Sequence, residues 1–403
     1  MTYSDNTMAT IMLCSPLGLD SADVKTLTLT EWNTLVSKIS QGAIQEPANL
    51  MLMNAEEISR QLDILPVQAN RIVSLLSRGI NITFLLEKLS QKSIYVTTRG
   101  EASYPVRLRK VLGKNAPPLL YYCGDLSLAN CEGLAMVGSR NVDADAADFA
   151  RQLAFKAATA GYAVFSGGAK GVDSISEQAA LDGRGCCISI LADSLERKIR
   201  NQKVCNAVID GKMLLLSATI PSARFQVGNA MTRNNYIYAL SRCAVVVASD
   251  YNKGGTWAGA VNNIKNKWVK TYVLDTMSYL GNRPLISKGG IPLDRDVDKL
   301  SIQKMLIENI AETPAPNKYK QQNLNDSLIE QQPEISNTSP TDNNTVYNAI
   351  LPILLACANE PMTIGTLAEQ LGVLKKQAEI WVKMAVEAKK LKKMSNPVRY
   401  IKN

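Results

Sequence analysis

The chain has 403 residues, of which 46% are hydrophobic, and it carries a formal net charge of +9. This length exceeds that of one ordinary domain, and the apolar content excludes a largely disordered chain. The positive charge favours a polyanionic partner, but taken alone it leaves a basic protein without such a partner equally open.

The sequence contains no histidine. This absence excludes Ser-His-Asp and Cys-His mechanisms, histidine general-base catalysis and any metal site that needs imidazole. The eight cysteines show no C-x-x-C spacing, which favours buried, reduced thiols. No apolar run reaches membrane-spanning length, and no basic segment followed by an apolar core begins the chain. We therefore expect a cytoplasmic protein without a metal, another cofactor or a membrane partner.

Residues 1–95 are predicted to form a helical domain. Apolar side chains recur three and four positions apart in 55–62 and 67–76, and 81–83 resembles a cap before a further helix. The segment lacks a glycine hairpin that grips a DNA backbone, so a packing or dimerising role is favoured over DNA binding. After Ile94, the prolines within 104–125 predict an extended path into a short strand.

Residues 96–312 alternate between apolar strands and amphipathic helices. This alternation predicts an α/β fold with a Rossmann-like doubly wound parallel sheet, covered by helices on both faces. The predicted strands are 134–137, 162–165, 187–191, 213–216, 244–248 and 270–274. The predicted helices are 143–160, 173–181, 195–209, 233–240 and one that ends near 264.

Four segments of small or polar residues lie where these strands end or helices begin. A glycine-rich turn at such a point leaves N–H groups unpaired, with the positive end of a helix dipole behind them. Because parallel strands end at one edge, we expect the four segments to be neighbours and to bind more than one phosphate. No carboxylate pair accompanies them, and Asp173 is expected to cap a helix, so no catalytic residue is assigned. The candidate phosphate-binding residues are Gly138, Ser139, Arg140, Ser166, Gly167, Gly168, Lys170, Gly171, Arg233, Asn234, Asn235, Lys253, Gly254, Gly255 and Thr256.

The last part of the chain differs in composition. Residues 313–343 are rich in Pro, Asn, Gln, Ser and Thr, which predicts a flexible linker. Residues 344–403 contain a short helix, a glycine turn, a longer helix and a terminal hairpin, an order typical of a C-terminal winged helix. Its lysines suit phosphate contact, but winged helices also bind proteins, and both roles stay open.

Motifs spread over residues 100–293 resemble those of the DNA-processing protein A family, also called Smf. The resemblance implies a non-catalytic homodimer that binds single-stranded DNA in natural transformation and passes it to a RecA-type recombinase. Arg140, Lys170 and Arg233 would then hold DNA phosphates, while Phe225 or Tyr236 would stack on bases. The motifs are Tyr104-Pro105, Val137-Gly138-Ser139-Arg140, 166–173, Arg233-Asn234 and Gly281-Asn282.

The motifs also depart from the usual family pattern. The family usually has arginine where Lys170 stands, a second arginine where Asn235 stands, and a histidine near Glu177. A specialised role therefore stays open. The alternative function is that of a nucleotide-binding sensor or a phosphoribohydrolase, because such enzymes of the same superfamily have a glycine loop like 254–256. Those enzymes carry a glutamate soon after the loop, whereas this chain continues with 257–262, which contains no acid.

Overall fold

The computed structural model describes residues 3–19, 24–307, 345–371, 373, 375–394 and 399–402. The chain divides into two compact units, Met1–Thr313 and Pro314–Asn403. The predicted linker, 313–343, lies outside the described residues.

The first unit begins with five helices, as the apolar periodicity predicted. Two of them open with capping boxes, Thr28 with Glu31 and Asn54 with Glu57, which satisfy free N–H groups. The expected cap at 81–83 is wrong, because Ile82 is fully buried in the core and the helix already begins at Gly79. The helices are α1 (Asp5–Cys14), α2 (Leu29–Gln41), α3 (Ala55–Leu62), α4 (Pro66–Leu76) and α5 (Gly79–Ser90).

A nine-stranded sheet forms the centre of this unit and confirms the predicted α/β class. Its strands are β1 (Tyr95–Thr98), β2 (Leu119–Cys123), β3 (Gly133–Gly138), β4 (Ala163–Ser166), β5 (Cys187–Leu191), β6 (Met213–Ser217), β7 (Cys243–Ala248), β8 (Lys270–Leu274) and β9 (Ile291–Leu293). The spatial order is β1-β2-β6-β5-β4-β3-β7-β8-β9. Neighbours from β6 to β9 in this order are parallel, whereas β2 pairs antiparallel with both β1 and β6.

Helices cover both faces of the sheet, because its inner strands are apolar on both sides. Phe149 and Leu153 pack on one face, and Ile237 and Leu240 pack on the other. The helices are α6 (Val106–Leu112), α7 (Ala144–Thr159), α8 (Val172–Asp182), α9 (Leu195–Ile199), α10 (Gln202–Ile209), α11 (Val227–Leu240), α12 (Gly254–Asn266), α13 (Asn282–Ser287) and α14 (Ile302–Ile307).

Two predicted segments differ from the structure. The extended path expected around Pro105 is instead helix α6, which buries Leu108 and Leu112 and starts directly after that proline. The single helix expected over 195–209 is two helices, because Asn201 accepts hydrogen bonds from the N–H groups that open α10.

The strand order reverses between β3 and β7. From β3 the chain adds β4, β5 and β6 on one side, and later adds β7, β8 and β9 on the other. A crevice forms where the order reverses, at the carboxyl ends of the strands, and ligands of such sheets bind there. The loop that contains Arg140 follows β3 and therefore lies at this point.

The second unit contains three helices, one more than the short and the longer helix predicted, and ends in the predicted two-stranded antiparallel hairpin. They are α15 (Thr345–Cys357), α16 (Ile364–Gln370), α17 (Lys375–Glu387), β10 (Leu391–Met394) and β11 (Arg399–Lys402). Leu367, Trp381 and Leu391 are buried in this unit. Its assignment as a winged helix stays a prediction. Within the described segments of the whole chain, no helix combines the length and apolar character needed to cross a membrane.

Candidate functional site

The loop 166–171, between β4 and α8, packs directly on the loop after β3. Gly168 and Gly171 have backbone φ angles of +67° and +79°, which favour glycine. A Cβ atom on Gly171 would lie 2.3 Å from the carbonyl oxygen of Ser139 and 2.6 Å from that of Arg140. Only glycine allows this approach, so the sequence brings the Ser139-Arg140 segment and the glycine loop 166–171 together.

Asp173 holds the glycine loop from inside. Its Oδ2 atom accepts hydrogen bonds from the N–H groups of Gly167 (3.1 Å) and Ala169 (3.3 Å). The prediction that Asp173 caps a helix is therefore corrected, since the N-cap residue of α8 is Gly171. Burial raises the pKa of Asp173 to about 6, although the Arg233 guanidinium opposes this shift. Two loop N–H groups are thus already occupied and are not available to a phosphate.

Arg233 lies beneath the glycine loop and not on the surface. Its side chain is buried, and Nη1 donates a hydrogen bond of 2.9 Å to the carbonyl oxygen of Ile190. A Cβ atom on Gly167 would lie 1.5 Å from this nitrogen, so the guanidinium lies against that glycine. Burial lowers the pKa of Arg233, and the nearby Asp173 carboxylate partly offsets this effect. The expected phosphate contact of Arg233 does not agree with this position.

A second buried cluster fixes the start of the glycine loop. The Oε1 atom of Glu177 accepts hydrogen bonds from Ser166 Oγ (2.7 Å) and Ser189 Oγ (2.6 Å). Lys198 Nζ lies 3.3 Å from Glu177 Oε2 and donates to the carbonyl oxygen of Gly168 over 3.1 Å. Ser166 therefore faces inwards, in contrast to its expected role at a phosphate. The other members of the cluster belong to no predicted motif, although a serine inside an apolar strand, Ser189, was a visible signal.

Arg140 and Lys170 are the exposed cations of the two adjoining loops. We call this pair the basic rim. The guanidinium carbon of Arg140 lies 5.2 Å from the centre of the Phe225 ring, and 46% of Phe225 is exposed. Tyr236, the other aromatic residue predicted to stack on bases, is only 6% exposed and cannot do so. The accessible part of the site thus combines two cations with one aromatic face.

The fourth predicted segment, Lys253 to Thr256, follows β7 and begins α12. Asn234 donates a hydrogen bond of 3.0 Å from Nδ2 to the carbonyl oxygen of Gly255. Asn235 contacts the same helix farther along and accepts a bond of 2.9 Å from Asn262. The loop after β3 is joined to β7 by a bond of 2.9 Å from Ser139 N to Ala248 O.

The predicted site residues are thus brought to one edge of the sheet in two groups. The loops after β3 and β4 touch each other, with the close packing of Gly138 on Val172 beneath them. The segment 253–256 lies beside them, after the strand that neighbours β3. α11 connects both groups, because Arg233 supports the glycine loop while Asn234 binds the start of α12.

Comparisons with a family model and with known proteins point to the same family. The family model for the DNA recombination-mediator protein A matches residues 95–300. Protein Smf of Synechocystis sp. is 26% identical over 182 residues, which cover 44% of this chain and 45% of that protein. A putative DNA processing protein DprA of Mycobacterium tuberculosis is 30% identical over 135 residues, which cover 32% of this chain and 35% of that protein. The chain thus matches less than half the length of these two relatives.

Among solved structures, DNA processing protein A of Streptococcus pneumoniae shares the fold. It superposes with a TM-score of 0.55 at 20% identity and covers 73% of this chain and 95% of that one. The family model spans half of the present chain and includes all the predicted site residues. The resemblance inferred from the motifs is thereby confirmed, and the chain belongs to the DNA recombination-mediator protein A family.

Proposed function

We propose that this protein binds single-stranded DNA along the basic rim and presents it to a recombinase without catalysing a reaction. The observation that carries the proposal is the contact between the loops of Arg140 and Lys170, with Phe225 beside them. Two cations on adjoining loops suit successive phosphates of a polynucleotide. An exposed aromatic ring supplies a stacking surface for a base, and every base has a face that can use it.

The exposed ring favours an unpaired strand over a duplex. In a duplex both faces of each base are covered by neighbouring bases, so Phe225 would have to displace one of them. In a single strand the faces are accessible, and stacking contributes about 1–3 kcal/mol per base. The description of the family as a recombination mediator supports the same substrate.

The buried charges beneath the rim give the loops their shape. Asp173 and Glu177 carry negative charges and Arg233 and Lys198 carry positive ones, so this interior set is balanced when all four are ionised. Arg140 and Lys170 outside then add an uncompensated positive potential for a DNA strand. We assign the interior residues a positioning role: they hold the loops ready before DNA arrives, which lowers the cost of ordering them on binding.

The same geometry supports binding without catalysis. Asp173 and Glu177 are the carboxylates held against the glycine loop, and each is less than a tenth exposed. Both are engaged in hydrogen bonds to the loop or to serines, so neither reaches a bound nucleotide. The nucleotide-processing alternative gains no support from them. A homodimer and a RecA-type partner belong to the proposal and are implied by the family resemblance, and the cytoplasmic location stays the expectation drawn from the sequence.

The proposal is tested with the double variant Arg140→Ala, Lys170→Ala. We expect single-strand binding, measured by fluorescence anisotropy of a labelled oligonucleotide, to be lost while thermal unfolding is unchanged, because both side chains are exposed. The matched control is Lys88→Ala, Lys265→Ala, which removes the same charge from exposed positions on α5 and α12. The control should bind like the unmodified protein.

Two results would overturn the proposal. Retained affinity in the double variant would place the DNA elsewhere. Complete competition by a mononucleotide, with no preference for a strand, would favour the nucleotide-sensing alternative. Repeating the titration at several salt concentrations, with single and double strands, separates phosphate contacts from stacking.

A further inference from the structure

A cavity of about 260 Å³ borders Phe225 and contains none of the predicted site residues in its lining. It lies between the chain that follows β5 and the chain that follows β6, and we call it the arginine cavity. Its lining consists of Ser194, Glu196, Arg197, Arg200, Ser222, Ala223, Arg224 and Phe225. The sequence analysis assigned it no role.

The walls of the arginine cavity are fixed to each other. Ser194 donates a hydrogen bond of 2.8 Å from Oγ to the carbonyl oxygen of Pro221. The same oxygen accepts a bond of 3.1 Å from the N–H group of Glu196. The two segments are therefore joined at the floor, and the cavity is part of the folded structure.

The charges around the cavity leave a positive excess. The carboxylate of Glu196 is engaged by Lys92 at 3.1 Å, and Arg197 forms an ion pair with Asp193. Arg200 and Arg224 are exposed, and within the described part of the chain no ion pair engages either of them. The cavity therefore presents two uncompensated guanidinium groups, which suit phosphate oxygens.

Phe225 connects the cavity with the basic rim. Its ring lines the cavity and also lies beneath the Arg140 guanidinium. A strand held at Arg140 and stacked on Phe225 would thus reach the cavity with its next nucleotide. The volume is below the roughly 300–1,000 Å³ of pockets that enclose a separate small ligand. It suits one phosphate and sugar of a polymer better than a free nucleotide.

The opposite flank of the rim carries no excess of positive charge. After Arg140 the chain enters α7, whose first two turns carry the exposed carboxylates of Asp143, Asp145 and Asp148. Arg295 forms an ion pair with Asp145, and Arg151 forms one with Asp148. Within the described residues, no ion pair engages Asp143. A polyanion is therefore favoured on the side of the arginine cavity.

We propose that the arginine cavity is an outer subsite for single-stranded DNA, in which Arg200 and Arg224 bind the phosphate next to the one held at the basic rim. This inference rests on the proposed function and adds the path of the DNA across the protein. The path runs from the loop after β3 across the loops after β4, β5 and β6. It also defines a minimum length of strand, because an oligonucleotide that carries only the two phosphates held at the basic rim does not reach the cavity.

The test compares the double variant Arg200→Ala, Arg224→Ala with the unmodified protein on two oligonucleotides, a dinucleotide with a 5′ phosphate and a strand of about 16 nucleotides. We expect a roughly tenfold loss of affinity for the longer strand and no change for the shorter one. The slope of log affinity against log salt should become shallower by about 0.7 for the longer strand, since the variant loses one phosphate contact.

The matched control is Arg60→Ala, Arg184→Ala, which removes two exposed arginines at the ends of α3 and α8. It should leave both affinities unchanged. Unchanged affinity and salt slope for the longer strand in the Arg200, Arg224 variant would overturn the subsite, as would an equal loss for both lengths. The proposed function fails separately, if the unmodified protein binds neither strand.

Discussion

The Arg140 guanidinium carbon lies 5.2 Å from the centre of the Phe225 ring, although one residue follows β3 and the other precedes α11. This cation–aromatic contact joins two loops that are separated in the sheet by β4 and β5. It places Arg140 over the ring, while 46% of Phe225 stays exposed. The pair is therefore the point at which phosphate and base recognition meet.

Replacement of Phe225 tests the stacking surface. We expect Phe225→Ala to weaken single-strand binding by about 1–3 kcal/mol, the usual contribution of one base on an aromatic ring. Phe225→Trp should keep the affinity, because it restores a flat face. The measurement is a titration of a labelled oligonucleotide by anisotropy.

Phe155 provides the control for this variant. It lies on α7 and is 45% exposed, against 46% for Phe225. Phe155→Ala should leave DNA binding unchanged. Equal losses in the two alanine variants would mean that Phe225 acts through general stability and not through stacking.

Gly168 and Gly211 offer a matched pair for the glycine loop. Both have a φ of +67°, but a Cβ atom at Gly168 would lie 2.6 Å from Leu191 Cδ2 and Ser189 Oγ, whereas one at Gly211 meets nothing within 4 Å. Gly211→Ala should cost about 1 kcal/mol of unfolding free energy, from backbone strain alone. Gly168→Ala should cost about 1–3 kcal/mol more, from overpacking. Urea unfolding measures both; equal costs would contradict the close packing of the loop.

The buried pair of Glu177 and Lys198 is tested by a double-mutant cycle. Lys198→Met leaves the Glu177 carboxylate without its cation and should lower the unfolding free energy by about 3 kcal/mol, the lower end for a buried pair. The lower end applies because 22% of the Lys198 side chain stays exposed. Combining it with Glu177→Gln should recover part of this loss. Strictly additive effects of the two substitutions would show that the pair does not interact.

Asp173 should give the stability a defined dependence on pH. Burial raises its pKa from 3.8 to about 6, so the folded protein binds this proton more tightly than the unfolded chain does. Its contribution to the unfolding free energy is therefore fully present below about pH 4 and is lost as the pH rises to about 6. Two pKa units correspond to about 3 kcal/mol.

Asp173→Asn isolates this contribution. The unfolding free energy of the unmodified protein minus that of the variant should fall by up to about 3 kcal/mol between about pH 4 and pH 7 and stay constant above. Urea unfolding at several pH values measures the difference. A difference that rises with pH would mean that the hydrogen bonds from the loop stabilise the ionised form more than burial destabilises it.

The sequence predicted the central sheet because its strands are continuous apolar runs. The six predicted strands, such as 187–191 and 270–274, agree with the structure to within one or two residues. Segment 106–112 was not predicted as a helix, because its proline signal indicated an extended path while burial of Leu108 decided the outcome. The three-residue strand β9 contains Pro292 and carries too little apolar pattern to be recognised.

The sequence predicted which loops lie together at the edge of the sheet, but not which of their side chains are buried and which are exposed. Glycine spacing after β4 indicated a loop of close backbone approach, and the packing of Gly171 on Ser139 agrees with it. Whether an arginine is buried or exposed depends on residues that are distant in the sequence. Arg233 is held by Ile190 on β5 and lies near Asp173 on α8. Arg200 and Arg224 carry no motif, so only the fold reveals that they share a cavity.

The antiparallel pairing of β2 with β6 has a consequence for synthesis of the chain. β1 and β2 are synthesised long before β6. One edge of β2 therefore has no β6 to pair with until translation has passed Ser217. An unpaired edge is open to wrong partners, and pairing across such a distance is slow. β3, β4 and β5 are made in the meantime, in the order in which they lie side by side in the sheet. β6 then pairs with β5 on one side and with β2 on the other. The edge of β2 is therefore open to pairing with another chain until β6 has been made.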